Sequence, residues 1–286
     1  MKVKNQYHYL IAGLPDLMFE DGKFPVTLVQ FKGELEHELT REDYSLIRLL
    51  FIPYDHRNLI DFLLRNEKKP SPLGNYTTED FEEQVSRLRA ILEQEPLLPQ
   101  YMIDFIRDFE DEEKEIPEES FERILTEGYY SYVSQAGNNF LRQWFEFELN
   151  ARNILTALIS RKHHRDLSQE IIGETSITQE LIASQKKSLE IMTDDDYLNN
   201  LLQLAEEEDF YQRERKVDLL KWDYLDEHTF FHYFTIEKVI GYLIKLFIVF
   251  RWKKLDKETG REMFEKLIHD LESSYELSEE FSLNRK

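Results

Sequence analysis

Two histidines, His228 and His232, stand four residues apart, the spacing at which imidazoles on one helical face can share a zinc ion. Between them lie Thr229, Phe230 and Phe231, so the glutamate that a zinc peptidase needs beside its first histidine is missing. Histidines with a structural role account better for such an aromatic stretch. Glu34 and His37 make one Glu-x-x-His, but a carboxylate-bridged di-metal bundle needs two such motifs and two further glutamates, and the sequence has no second copy. The acidic runs Asp194-Asp195-Asp196 and Glu206-Glu207-Glu208-Asp209 lack the alternating ligands and central glycine of a calcium loop. The first reads as a helix start, where carboxylates meet the positive end of the helix dipole, and the second as an exposed helix face. Asn75-Tyr76-Thr77 fits a glycosylation acceptor as a pattern only.

Other chemistry has no anchor. No Gly-x-Gly-x-x-Gly or Gly-x-x-x-x-Gly-Lys occurs to cradle phosphates, and no Gly-x-Ser-x-Gly elbow to present a nucleophile. Cysteine is absent, which removes disulfides, thiolate metal sites and cysteine nucleophiles and points to a reducing compartment. The residues therefore predict a protein without catalytic residues, cofactor, required metal or small-molecule substrate.

The elements that hold these residues read as helices. With 9 Gly and 8 Pro among 286 residues, and Leu, Glu, Lys and Arg plentiful, the propensities favour an all-α fold. Only Tyr7 to Ile11 and Phe24 to Phe31 have an extended character. Thr40, with Asp43 three residues on, predicts a helix through Phe51 that Pro53 ends. Further helices are expected from Thr78 to before Pro96, from Pro99 to Asp108, and, as one long helix or a kinked pair, from Phe121 to Arg165. Four more should cover Ser176 to Ile191, Tyr197 to Leu225, Thr235 to Trp252 and Lys257 to Glu272. Like charges in the run from Asp108 to Ser120 favour a loop.

An internal resemblance organises these helices. DHRNLIDFLLRNEK at 55–68 and NARNILTALISRKH at 150–163 share Arg-Asn, an apolar stripe and a basic end, with Arg57 and Arg152 95 residues apart. A weaker third copy, TIEKVIGYLIKLFI, sets Lys238 86 residues after Arg152. Counted from the basic residue, Leu59, Phe62 and Leu63 correspond to Ile154, Ala157 and Leu158 and to Ile240, Leu243 and Ile244, one helical face each time. The pattern predicts one unit over 1–272, made of approximate repeats 1–100, 101–190 and 191–272, followed by a frayed charged tail at 273–286.

Composition narrows the partners. The formal charge of -21 repels phosphate backbones and anionic lipid surfaces, so nucleic acid is not an expected partner while a basic protein is. The apolar run Val239 to Phe250 contains Lys245 and has about 12 residues where a membrane span needs roughly 20. No direct membrane insertion is expected. The opening residues lack the apolar core and cleavage site of a secretory signal, so a cytoplasmic protein is expected. The 20 Phe, 15 Tyr and 3 Trp suit dense packing and recognition.

At FEFELNARNILTALISRK, residues 145–162, the sequence resembles the C subunit of archaeal and bacterial V/A-type ATPases, the counterpart of the d subunit of the vacuolar enzyme. Glu148, Asn153, Ile154, Leu158 and Arg161 carry the match. A second stretch, YFTIEKVIGYLIKLF, places Tyr233 and Glu237 like that family's tyrosine and glutamate, and Tyr7-x-Tyr9 resembles its start. Over about residues 5–270 the chain is most similar to the C-subunit-like proteins of V-type ATPases found in Bacteroides-like bacteria. It departs from the C-subunit pattern in having Asn150 in place of an aspartate, Gly13-Leu14-Pro15-Asp16 within the first helix, and a third copy without Arg-Asn. The resemblance implies three helical subdomains of about 90 residues in a pseudo-threefold funnel. It also implies a non-catalytic connector, peripheral to the inner membrane, that seats the central rotor stalk on the proteolipid ring during ion transport. A helical adaptor for a basic protein partner is the alternative.

Overall fold

The computed structural model of the protein describes residues 5–19, 26–90, 95–162, 165–183, 195–204, 207 and 209–254. Among these residues every regular element is helical and no strand occurs. The chain divides into two compact units, one of Met1–Gly13 and Val26–Gly241, the other of Leu14–Pro25 and Tyr242–Lys286.

The first unit opens with α1 (His8–Gly13), α2 (Leu28–Glu38), α3 (Arg41–Leu49) and α4 (Ile52–Leu63). Tyr7 to Ile11 is thus not extended: Ile11 N–H bonds back to Tyr7 C=O at 3.0 Å, and Tyr7 N–H donates to Phe234 C=O at 2.7 Å. The second stretch expected to be extended also turns helical from Leu28. There Thr27 and Gln30 form a capping box that satisfies two otherwise orphaned amides. Thr40 does cap α3, accepting from Asp43 N–H at 3.3 Å. Pro53 begins the next helix instead of ending this one, because it falls in the first turn of α4, where its missing N–H costs no hydrogen bond.

Next come α5 (Thr78–Arg89), α6 (Gln100–Glu110), a 3-10 turn (Glu118–Ser120) and α7 (Phe121–Val133). Leu59 of α4, Phe81 and Val85 of α5, Met102, Phe105 and Ile106 of α6, and Phe121 and Leu125 of α7 form one buried core. The stretch 121–165 is a pair: α7 stops at Val133, and Asn138 starts α8 (Asn139–Lys162) by accepting from Leu141 N–H at 3.0 Å. Tyr129 of α7 and Phe145 of α8 meet edge to face at 5.6 Å.

Around α8 pack α9 (Leu167–Glu170), α10 (Ser176–Ala183) and α11 (Asp196–Leu204), and α11 packs on α12 (Phe210–Thr229). The single helix expected over 197–225 is therefore two, since Asp209 caps α12 by accepting from Gln212 N–H at 3.1 Å. The last helix, α13 (Ile236–Lys254), is buried along much of its length. No helix among the described residues is long and apolar enough to cross a membrane. In the second unit, Tyr242 O–H donates to Pro15 C=O at 2.8 Å and Phe19 lies 5.9 Å from Trp252. The remainder of the helix expected at 176–191, the helix expected at 257–272 and the tail at 273–286 lie outside the described residues.

All three sequence copies fall on helices, α4, α8 and α13. In α4, Asp55, His56, Asn58 and Leu59 are buried while Arg57 is exposed; in α8, Asn150, Ala151, Asn153 and Ile154 are buried while Arg152 is exposed. The likeness extends to hydrogen bonds. Asn58 donates to Ser71 C=O at 3.0 Å and accepts from Ser71 N–H at 2.7 Å. Asn153 does the same with Ile172, at 2.8 and 3.2 Å. Three residues earlier, Asp55 accepts from Asn75 and Tyr76 N–H at 2.5 and 3.0 Å, and Asn150 Oδ1 accepts from Thr175 O–H at 2.8 Å.

Each clamp holds a loop that carries a glycine and ends in a threonine cap. Thr77 and Asp80 cap α5, and Thr175 and Thr178 cap α10. A Cβ at Gly74 would stand 2.7 Å from Asn58 Nδ2 and 2.8 Å from Asp55 Oδ1. Gly173 has φ +74°, which L side chains rarely adopt. In α13 the corresponding positions are Ile236 and Val239, both buried and without hydrogen-bonding side chains.

Candidate functional site

The second clamp helps to build a cleft. By fixing Thr175 it aims the start of α10, Ser176 and Ile177, toward Asn150, Gln143, Glu146 and Phe147 of α8. Asp195 starts α11 by accepting from Tyr197 and Leu198 N–H at 2.8 and 3.2 Å, which brings Tyr197 in beside Asp223, Tyr224, Glu227 and His228 of α12. The result is a cleft of ≈ 1020 Å³ between α8, α10, α11 and α12.

Its floor is aromatic. Phe147 and Tyr224 stack at 4.2 Å and 7°, Tyr224 and His228 at 3.8 Å and 13°, and Tyr197 meets Tyr224 edge-on at 5.2 Å. Its walls are acidic: Glu146, Glu180, Asp195, Asp196, Asp223 and Glu227 line it, and no described lysine or arginine does. Burial raises the Tyr224 phenol pKa, and the fields of Asp195 and Glu146 raise it further. Tyr197 is raised by burial, by its hydrogen bond to Glu227 at 2.5 Å, and by Asp223 and Asp195. Both phenols stay neutral. The cleft therefore offers carboxylate oxygens and π faces, a combination that attracts cations.

The sequence candidates fall differently. His228 lines this cleft, with Nδ1 hydrogen-bonded to Tyr224 C=O at 2.9 Å, but α12 ends at Thr229. His232 therefore leaves the shared helical face and lies beside Glu237 at 3.6 Å. Glu34 and His37 are exposed on α2. Asp194 lies outside the described residues, whereas Asp195 and Asp196 form the expected helix start. Of the second acidic run, expected as a helix face, Glu207 and Asp209 lie outside any helix, Glu207 paired with Lys216 and Asp209 capping α12, while Glu206 and Glu208 lie outside the described residues. Asn75 has its amide tied to Arg48 C=O at 3.0 Å and Asp55 at 2.8 Å. Among the described residues no group of three or more His, Asp or Glu is arranged to hold a metal ion.

Of the residues that carry the family resemblance, Asn153 and Ile154 are buried, whereas Tyr9 and Tyr233 are exposed. Glu148 pairs with Lys221 at 2.5 Å, joining α8 to α12, and Glu237 accepts from Asn138 Nδ2 at 3.1 Å. Residues 4–275 match the model of a family described as a protein of unknown function, DUF2764. The chain belongs to that family. Neither a curated protein nor a solved structure matches it.

For this DUF2764 protein, sequence reasoning missed the cleft because its lining comes from four helices spread between Gln143 and His228. A usable signal was present nonetheless. Asp55 with Asn58 and Asn150 with Asn153 repeat an Asx pair three residues apart, one face of a helix, followed each time by a glycine and a threonine.

Proposed function

We propose that this protein is a non-catalytic connector of a V/A-type rotary ATPase, linking the central rotor stalk to the membrane proteolipid ring. The observation that carries the reading is the clamped module repeated at α4 and α8. Two buried Asx residues on the long helix pin a glycine-bearing loop ahead of a threonine-capped helix. A duplicated module supports a body built from similar helical subdomains, and α13 would be the centre of a third in which Ile236 and Val239 replace the polar pair. Such an arrangement is the pseudo-threefold funnel that the resemblance implies. The aspartate expected at position 150 by that resemblance stands at the equivalent position of the first copy, Asp55.

The proposed role is mechanical. Close-packed helices transmit strain because interiors are dense and little compressible, and the clamps tie loops to helices by paired hydrogen bonds rather than by single contacts. The protein would lie on the cytoplasmic side of the inner membrane, held there by the complex. Deleting its gene in the source organism should leave the soluble ATPase head able to hydrolyse ATP while ion movement stops. Unimpaired ATP-driven pumping in the deletion strain would refute the reading. A second reading, an adaptor for a basic protein, is favoured by the acidic aromatic cleft.

A further inference from the structure

We propose that the cleft between α8, α10, α11 and α12, together with the exposed Phe230 and Phe231 that follow α12, is the docking surface for a basic amphipathic segment of a protein partner. The proposal does not rest on the rotary-ATPase reading and holds for any partner of that chemistry.

Two independent features meet at one end of α12. The first is charge. Glu146, Glu180, Asp196 and Asp223 line the cleft and have no cationic partner among the described residues, whereas Glu148 and Glu207, outside its lining, are paired with Lys221 and Lys216. Unpaired carboxylates over stacked rings attract lysine and arginine, whose cations gain from both the carboxylates and the π faces. The second feature is apolar. Phe230 and Phe231 are 63% and 79% exposed and meet each other edge to face at 5.0 Å. Only the buried Thr229 separates them from the cleft residues Glu227 and His228, and Phe230 N–H donates to Glu227 C=O at 3.2 Å.

Together these features select the occupant. A lone cation or polyamine would use the carboxylates and leave the phenylalanines in water. A purely apolar segment would cover the phenylalanines and leave the carboxylates unmatched. A segment with lysines on one side and leucines on the other satisfies both, and exposed aromatics beside a pocket are common anchors of protein interfaces. Nucleic acid and anionic lipid are disfavoured by the same carboxylates.

The test uses a fluorescein-labelled helical peptide of lysine and leucine and its glutamate–leucine counterpart, with full-length protein at near-physiological salt and binding read by anisotropy. The lysine peptide should bind and the glutamate peptide should not. Glu146→Gln with Asp223→Asn should weaken binding by about tenfold, since two partly screened charge pairs are lost. Phe230→Ser with Phe231→Ser should weaken it several-fold. Glu112→Gln with Glu115→Gln, in the exposed acidic loop before the 3-10 turn, should change it less than twofold. Equal weakening by the loop variant would mean attraction by overall acidity and overturn the proposal. So would an unaffected phenylalanine variant, or complete displacement by equimolar spermine, either of which identifies a simple polycation site. No binding by the wild type would also overturn it, leaving the connector reading to its own deletion test.

Discussion

Asn153→Leu removes the second clamp while keeping the side chain's approximate volume. Asn153 is fully buried, and its two hydrogen bonds pair both backbone groups of Ile172, itself 1% exposed. Leucine leaves that N–H and C=O unpaired away from water, at about 1–3 kcal/mol each, partly offset by the apolar side chain, so a net loss of about 3 kcal/mol is expected. Asn58→Leu is the internal comparison. Ser71 is only half-buried, and its C=O keeps a second donor, Gly74 N–H at 3.2 Å, so about 1–2 kcal/mol is expected. The clamps share no partner, and the double variant should be additive within about 0.5 kcal/mol. Urea unfolding followed by far-UV circular dichroism measures the losses, and amide exchange at Ile172 reports the second clamp directly. A loss under about 1 kcal/mol for Asn153→Leu, or a larger loss for Asn58→Leu, would refute the assignment of these asparagines as clamps of unequal burial.

Three further perturbations test the structure. Burial raises the Asp55 carboxyl to about 6 against the pull of its hydrogen bonds, and burial lowers His56 to about 4. As pH falls from 6 toward 4, folded Asp55 takes a proton before the unfolded chain does, which stabilises by about 3 kcal/mol, while His56 refuses one that the unfolded chain accepts, which destabilises by a similar amount. Asp55→Asn removes the compensating branch, so urea midpoints of the variant should fall relative to wild type across that window; parallel curves would contradict the shifts. A Cβ at Gly128 would stand 2.4 Å from the Tyr101 ring, so Gly128→Ala should lower the melting temperature by several degrees, measured by calorimetry. Tyr129→Phe deletes the bond from its O–H to Leu49 C=O at 3.1 Å and should cost about 1 kcal/mol in the same urea assay.

Much of the fold was legible where local chemistry and tertiary structure agree. Thr40 and the apolar face through Leu59, Ile154 and Ile240 mark helices because caps and 3.6-residue periodicity act within a few residues. The misreadings have local causes as well. Pro53 stops a helix only in its interior and is at home in a first turn, and a run such as Glu206 to Asp209 has helix-compatible propensities until Asp209 captures the amide of Gln212. Tyr7 to Ile11 resembles a strand by composition, yet the bond from Tyr7 to Phe234 spans most of the chain. The cleft is of the same kind, since the approach of Tyr197 and of Glu146 to Tyr224 depends on how α8, α11 and α12 pack, which no window of sequence contains.

The central claim is a partnership. The most direct measurement is affinity purification of the full-length tagged protein from solubilised membranes of the source organism, with the stoichiometry of the recovered proteins read by quantitative mass spectrometry. The account predicts recovery of rotor-stalk and proteolipid subunits of a V/A-type ATPase at one copy of this protein per complex. Recovery of an intact ATPase from the same membranes, through a tag on its head, without this protein would contradict it.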